Sequence, residues 1–215
     1  MIITIEGTDG SGKATQSKRL FEYLTSLGKK CKLMSFPNYG SEAGRLVQMY
    51  LGGEFGLDAN CLNAYQASSI FAVDRLFAMK KINVAEFDYI ILDRYTPSNM
   101  IHQACKIENS TERDKCLNWL FDFEYNKLEL PKPDKVVFLD MPIDVSLKLA
   151  AGRKTLKNGQ KQDIHENNQS YMHHAYDCAK YVAKKYDWNI IDCCKGNKVL
   201  TVEEIHNKIL KAIGI

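Results

Sequence analysis

The sequence predicts an open α/β fold: a five-stranded parallel sheet with helices on both faces and a short lid. Three observations carry this expectation. Apolar runs of strand length alternate with longer helical patterns from end to end. The strand-like runs show no inside/outside alternation, as expected where both sheet faces are covered. A glycine-rich segment, Gly7-Thr8-Asp9-Gly10-Ser11-Gly12-Lys13, lies between the first strand-like run and the first helical one.

Taken in order, Ile2 to Glu6 forms a short apolar run that ends in glycine. Residues 11–27 follow, with Leu20, Phe21, Leu24 and Leu27 at helical spacing and Gly28 as the stop. Residues 31–36 read as a second strand closed by Pro37, then 42–51 and 61–85 as helices. Tyr89 to Leu92 is the third strand, with helical patterns at about 99–107 and 111–126. Residues 136–139 and 189–191 give the fourth and fifth strands, with helices between and after them. No internal repeat or linker breaks the chain, so residues 1–215 read as one domain. The one compositional break is 152–162, basic and poor in apolar residues. It predicts a lid over about 152–165.

The bulk properties narrow the function. The chain has 215 residues, 45% of them hydrophobic and 26% charged, which is ordinary globular composition. A net charge of +3 does not imply nucleic-acid binding and suits phosphorylated small molecules. No run of about 18 apolar residues predicts a membrane span, and the N-terminus reads as a strand instead of a signal peptide. Seven cysteines without CxxC spacing fit a reducing compartment, so the cytoplasm is expected.

The glycine-rich segment satisfies GxxxxGK, the phosphate-binding loop of P-loop NTPases. Its glycines let backbone N–H groups turn inward around phosphate oxygens. The helix start adds a positive dipole end, and Lys13 a point charge for the β- and γ-phosphates of ATP. Gly7, Asp9, Gly10, Ser11, Gly12, Lys13, Ala14 and Thr15 are therefore the candidate ATP-binding residues. The pattern wants Ser or Thr directly after the lysine, for a hydroxyl on Mg²⁺, and Ala14 stands there. Thr15 is offset by about 100° around a helix. Either water fills that magnesium position or the metal leans harder on a carboxylate elsewhere.

Asp93-Arg94 sits at the C-terminal tip of the third strand, where open α/β sheets bind ligands. Asp93 is the candidate metal-holding carboxylate, and Arg94 the cation that neutralises charge on a transferred phosphoryl group. Phe71 and Arg75 lie one helical turn apart, a ring beside a guanidinium, which suits a planar base. That face also carries Ser68 and Ala78, while Ile70, Val73 and Phe77 are free to serve the core.

Together these residues resemble the thymidylate kinase family. The likeness covers Glu6 to Lys13, Phe36-Pro37, Phe71 to Arg75, Asp93-Arg94-Tyr95-Thr96-Pro97-Ser98 on to Gln103, Pro131-Lys132-Pro133-Asp134, and Phe138-Leu139-Asp140. It implies transfer of the ATP γ-phosphate to dTMP, with Mg²⁺ as cofactor, in a homodimer that binds neither nucleic acid nor membrane. It implies that Asp9 meets the deoxyribose 3′ hydroxyl, Phe71 stacks on thymine, and Arg75 binds a carbonyl of the base. Arg94 grips the acceptor phosphate, and Phe36, Ser98 and Gln103 complete the pocket. Arg153 lies against adenine and counts with Lys13, Asp93 and Arg94 as catalytic. Lys154, Lys157 and Lys161 form the closing lid. Many members place an arginine soon after Phe36-Pro37, where this chain has Asn38-Tyr39; Arg45 is a stand-in if its helix turns it inward. Two other readings remain from the residues: a kinase for another nucleoside monophosphate or a deoxynucleoside, and a P-loop protein that holds nucleotide without turnover. Ala14 favours the latter.

Overall fold

A computed structural model describes residues 1–154, 164, 168–196 and 198–215, with 152–154 as backbone only. Five parallel strands form its main sheet: β1 (Ile2–Glu6), β2 (Cys31–Ser35), β3 (Tyr89–Asp93), β4 (Lys135–Asp140) and β5 (Asn189–Asp192). Their order is β2-β3-β1-β4-β5, with β1 pairing in parallel to β3 on one side and β4 on the other. The chain leaves β1 toward one edge and later returns to the opposite side. That reversal opens a crevice beyond the carboxyl ends of β1, β3 and β4, the ligand position of such sheets.

Covering both faces explains why the strands lack alternation. Ile3, Ile5, Ile91, Val137 and Leu139 pack with Leu20 and Leu24 of α1 (Lys13–Ser26) and Ile205, Ile209 and Ile213 of α8 (Val202–Ile213). The opposite face receives α3 (Ala64–Met79), α4 (Thr96–His102), α5 (Ser110–Phe121) and α7 (Gln169–Lys185). Each fully buried Ile or Leu contributes roughly 1.5–3 kcal/mol over an exposed one. The remaining helices are α2 (Glu42–Leu51) and α6 (Ile143–Lys154).

The element boundaries shift for local reasons. The first helix starts at Lys13, after Gly12 in the left-handed region, instead of at Ser11. α3 starts at Ala64 because Asn63 and Gln66 form a capping box, and it stops at Met79. A single 3-10 turn, Val84–Glu86, occupies the end of the longer predicted helix. α4 begins at Thr96, earlier than expected, since Pro97 in the first turn lacks an N–H that would have had no helical partner. α5 runs into a π-helical turn, Asp122–Lys127, which periodicity alone does not reveal. A two-stranded hairpin, β6 (Cys194–Lys195) with β7 (Lys198–Val199), is too short to leave a sequence pattern. Phe77 is corrected from a core residue to a surface one, 56% exposed, because it falls on the outer face of α3.

Candidate active site

The phosphate loop follows β1 without interruption. Gly7, Gly10 and Gly12 have φ values of 153°, 97° and 96°, which side-chain-bearing residues rarely adopt. At Gly10 a close approach adds to this: a Cβ there would lie 1.9 Å from the Ser146 carbonyl oxygen of α6. The Lys13 amine is held across the loop, donating to the Thr8 carbonyl at 2.8 Å and lying 3.5 Å from the Asp9 carboxylate. Burial, with Arg94 nearby, lowers its pKa to about 8 against the opposing pull of Asp9, Asp93 and Glu6. Ala14 and Thr15 are both exposed on the first turn of α1.

Arg94 joins this loop to the tip of β3. Its backbone takes φ 66° and donates to the Ile5 carbonyl at 3.1 Å, a conformation costing about 1–2 kcal/mol for a side-chain-bearing residue. The strained turn aims the guanidinium back over β1. There Nη2 bonds Asp9 at 2.5 Å and Nη1 meets His102 Nε2 at 2.8 Å. Burial alone raises the Asp9 carboxyl, but Arg94, Lys13 and His102 outweigh it and hold it well below the usual carboxylate range. Glu6 clamps the turn from beneath. Its buried carboxylate accepts from the Tyr95 amide at 2.9 Å and the Ser98 hydroxyl at 2.7 Å. Asp93 pairs with neither; burial raises its carboxyl, opposed by Lys13 and Arg94.

Beside Arg94 opens a cleft of about 150 Å³. Asp9, Phe36, Phe71, Arg75, Arg94, Ser98 and Gln103 all line it. Residues from four separate stretches of the chain thus converge on one cleft. Phe71 is braced edge-on by the buried Tyr50 ring, 6.0 Å between centroids. Gln103 is 1% exposed and its Oε1 has no hydrogen-bond partner among the described residues, the pattern of a group that meets a bound ligand. Phe36 enters from a cis peptide to Pro37. Arg45 is exposed and does not line the cleft; the following segment is instead fixed by Asp74, which accepts from the Asn38 amide at 2.8 Å. The Lys157 and Lys161 positions lie outside the described residues, as do the side chains of Arg153 and Lys154.

A cleft that sets an aromatic slab and a buried arginine beside a P-loop lysine invites comparison with known proteins. The sequence model of the thymidylate kinase family, described as "Thymidylate kinase", matches residues 5–209. The chain belongs to the thymidylate kinase family. Its activity is the family's, ATP-dependent phosphorylation of dTMP. Among curated thymidylate kinases, that of Mycobacterium tuberculosis is 32% identical over 171 residues, 78% of each chain. The human one is 26% identical, covering 97% of this chain and 87% of its own. The solved thymidylate kinase of Candida albicans shares the fold, with a TM-score of 0.72 at 23% identity, over 99% of this chain and 90% of that one. No described helix is long and apolar enough to cross a membrane.

Some cleft residues of this thymidylate kinase family member carried no motif. His102 lies four residues after Ser98 and Asn99 four before Gln103, so helical spacing from those two residues is the signal that finds them. Tyr39 comes from a turn, Leu51 from the end of α2, and Asp74 from within α3 beside Arg75. Glu124 ion-pairs with Arg75 from 49 positions away, and no local pattern marks it.

Proposed function

We propose that dTMP lies in this cleft with its phosphate at Arg94 and its base between Phe71 and Arg75, facing the ATP γ-phosphate at Lys13. The observation that carries this reading is the Lys13–Asp9–Arg94 chain, which links the donor loop to the acceptor cleft without a gap. Transfer is in line. Lys13 bonds the β- and γ-oxygens, Arg94 gathers the acceptor phosphate, and both hold charge that spreads over the transferred oxygens. Asp9 keeps the two cations apart and in place, and it accepts from the 3′ hydroxyl. No covalent intermediate on the chain is needed, because positioning and charge supply the catalysis. Burying the reacting groups also keeps water from taking the phosphate.

The donor set fits Mg²⁺. Among the described residues no three His, Cys, Asp or Glu groups gather to cage a metal. Mg²⁺, though, keeps several waters and takes one or two carboxylates plus phosphate oxygens. Asp93, the carboxylate at the β3 tip that neither the loop nor Arg94 has engaged, is the residue for it. When bound, the ion neutralises charge on the β- and γ-phosphates. Leu46 on α2 and Phe77 on α3, 43% and 56% exposed on adjoining helices, support a homodimer. Seven free thiols support a reducing compartment such as the cytoplasm.

A coupled ADP-release assay across dTMP, dUMP, UMP, CMP, AMP and thymidine tests the acceptor. dTMP is expected to give the highest kcat/KM, and thymidine, without a phosphate for Arg94, the lowest. A better acceptor than dTMP would overturn the assignment of the cleft.

A further inference from the structure

Beneath the cleft lies a polar cluster that the phosphoryl transfer does not use. Arg75 and Glu124 are 2% and 1% exposed and form a two-pronged ion pair, Nε to Oε2 at 2.7 Å and Nη2 to Oε1 at 2.8 Å. Glu124 Oε1 also accepts from Asn99 Nδ2 at 2.8 Å, and the same amide nitrogen donates to the Ser68 carbonyl at 3.1 Å. Glu124 rides on the π-helical turn that ends α5. Such turns are frequent at functional sites.

Counting hydrogens decides what this cluster offers the cleft. Both hydrogens of the Asn99 amide are spent, one on a carboxylate and one on a carbonyl. Neither partner can donate, so the orientation of the amide is fixed by chemistry. Asn99 lines the cleft, and what it has left is its carbonyl oxygen, an acceptor. Arg75 also lines the cleft. Two of its five N–H groups are held by Glu124, and those that remain can only donate. The cluster therefore presents one fixed donor beside one fixed acceptor, on a floor that cannot turn over.

We propose that Glu124 is a positioning residue for base recognition, holding Arg75 as donor and Asn99 as acceptor so that the cleft matches the imide edge of thymine. Thymine offers a C4 carbonyl to accept and an N3–H to donate. Cytosine reverses both, with an amino group at C4 and a bare nitrogen at N3, so donor would face donor and acceptor would face acceptor. Sites built to hydrogen-bond a substrate reject the wrong partner by factors as large as about 10⁴, because their own buried groups are left unpaired. The inference rests on the acceptor nucleotide occupying this cleft.

A purely structural Glu124, present only to neutralise a buried arginine, makes a different prediction. Its loss would weaken the fold and affect every acceptor alike. The test is therefore the ratio of kcat/KM for dTMP over dCMP. In Glu124→Gln one carboxylate oxygen becomes an NH₂ group. Arg75 or Asn99 then meets a donor where it had an acceptor, and the Asn99 amide loses its enforced orientation. The dTMP/dCMP ratio is expected to narrow at least tenfold, mainly through the KM for dTMP, with KM for ATP moving less than twofold. Glu124→Asp keeps the buried charge, and so the fold, but withdraws the acceptor by one methylene; it should narrow the ratio in the same direction. Asn99→Leu removes the acceptor alone and should do likewise. A ratio within twofold of wild type in folded Glu124→Asp and Asn99→Leu overturns the proposal, whatever Glu124→Gln does. Phe71→Ala and Arg94→Ala separate the two levels. If they leave KM for dTMP untouched, the cleft is not the acceptor site and the broader reading fails.

Discussion

Arg94 donates a 2.5 Å hydrogen bond to the carboxylate of Asp9, closing a contact between residues 85 positions apart. It joins the tip of β3 to the phosphate loop, so the cleft and the loop share one charge network. Burial would by itself weaken the Arg94 cation, but Asp9, Glu6 and Asp93 raise its pKa above the ordinary value. The guanidinium stays charged at every working pH and lines the cleft in which the acceptor is proposed to lie. Arg94→Lys keeps the charge but loses the planar fork that reaches Asp9 and His102 together. It is expected to lower kcat/KM for dTMP by about 10²-fold, and Arg94→Ala by about 10³-fold, the range for losing one preorganised donor. Isothermal titration with ATP alone should change little for either variant. Equal losses for ATP and dTMP would mean that Arg94 serves the donor side.

Lys13 gives the site an alkaline limit. Its pKa is lowered to about 8, so the amine begins to lose its proton just above neutrality. Only the ammonium attracts phosphate oxygens, hence ATP binding should weaken as pH rises through about 8. Well above that value the fall approaches tenfold per pH unit in kcat/KM for ATP, since each pH unit removes nine-tenths of the remaining cation. Lys13→Arg, whose guanidinium does not titrate, should abolish the limb while lowering the plateau. Lys106 also falls to about 8, but it bonds Tyr50 and the Leu62 carbonyl behind the Phe71 platform. A Lys106→Gln control should keep the alkaline limb. Its disappearance there would reassign it.

Gly10 separates space from strain. It takes φ 97°, and a Cβ would collide with the Ser146 carbonyl backbone at 1.9 Å. Gly12 takes nearly the same φ, 96°, but a Cβ there meets nothing within 4 Å. Gly12→Ala should therefore cost only the left-handed penalty, about 1–2 kcal/mol. Gly10→Ala adds displacement of α6 and should exceed about 3 kcal/mol, a size reserved for such named clashes. Urea melts of both variants check the order. Similar losses would show that α6 yields freely.

The contrast between local and distant partners explains what was legible in the sequence. The P-loop, the β-then-α order and the Phe71–Arg75 spacing are short-range patterns, and each element they predicted is present. The convergence of Phe36, Phe71, Arg94 and Gln103 on one cleft was legible only through the family resemblance, because no spacing joins them. Glu124 was invisible. Its neighbours on the π-turn look like the tail of an amphipathic helix, and its partners Arg75 and Asn99 are 49 and 25 positions away. Phe77 misled because α3 packs through its small residues Ala67, Ala72 and Ala78. Its large aromatic is left outside.

Ala14 remains the irregular residue of the loop, and it sets a test of how the metal is held. If Asp93 carries Mg²⁺, replacing it with Asn removes the charged oxygen, and activity should fall by at least about 10²-fold. Restoring the missing hydroxyl with Ala14→Ser would offer one ligand where water could otherwise serve. It should raise kcat by no more than about threefold. Ala14 is exposed, so the serine costs the fold nothing through packing. The two variants then diverge in Mg²⁺ titrations. Asp93→Asn should need severalfold more Mg²⁺ for half-maximal rate, and Ala14→Ser somewhat less than wild type. Small and equal effects would place the metal on nucleotide phosphates and water alone, leaving Asp93 to balance the charge of Lys13.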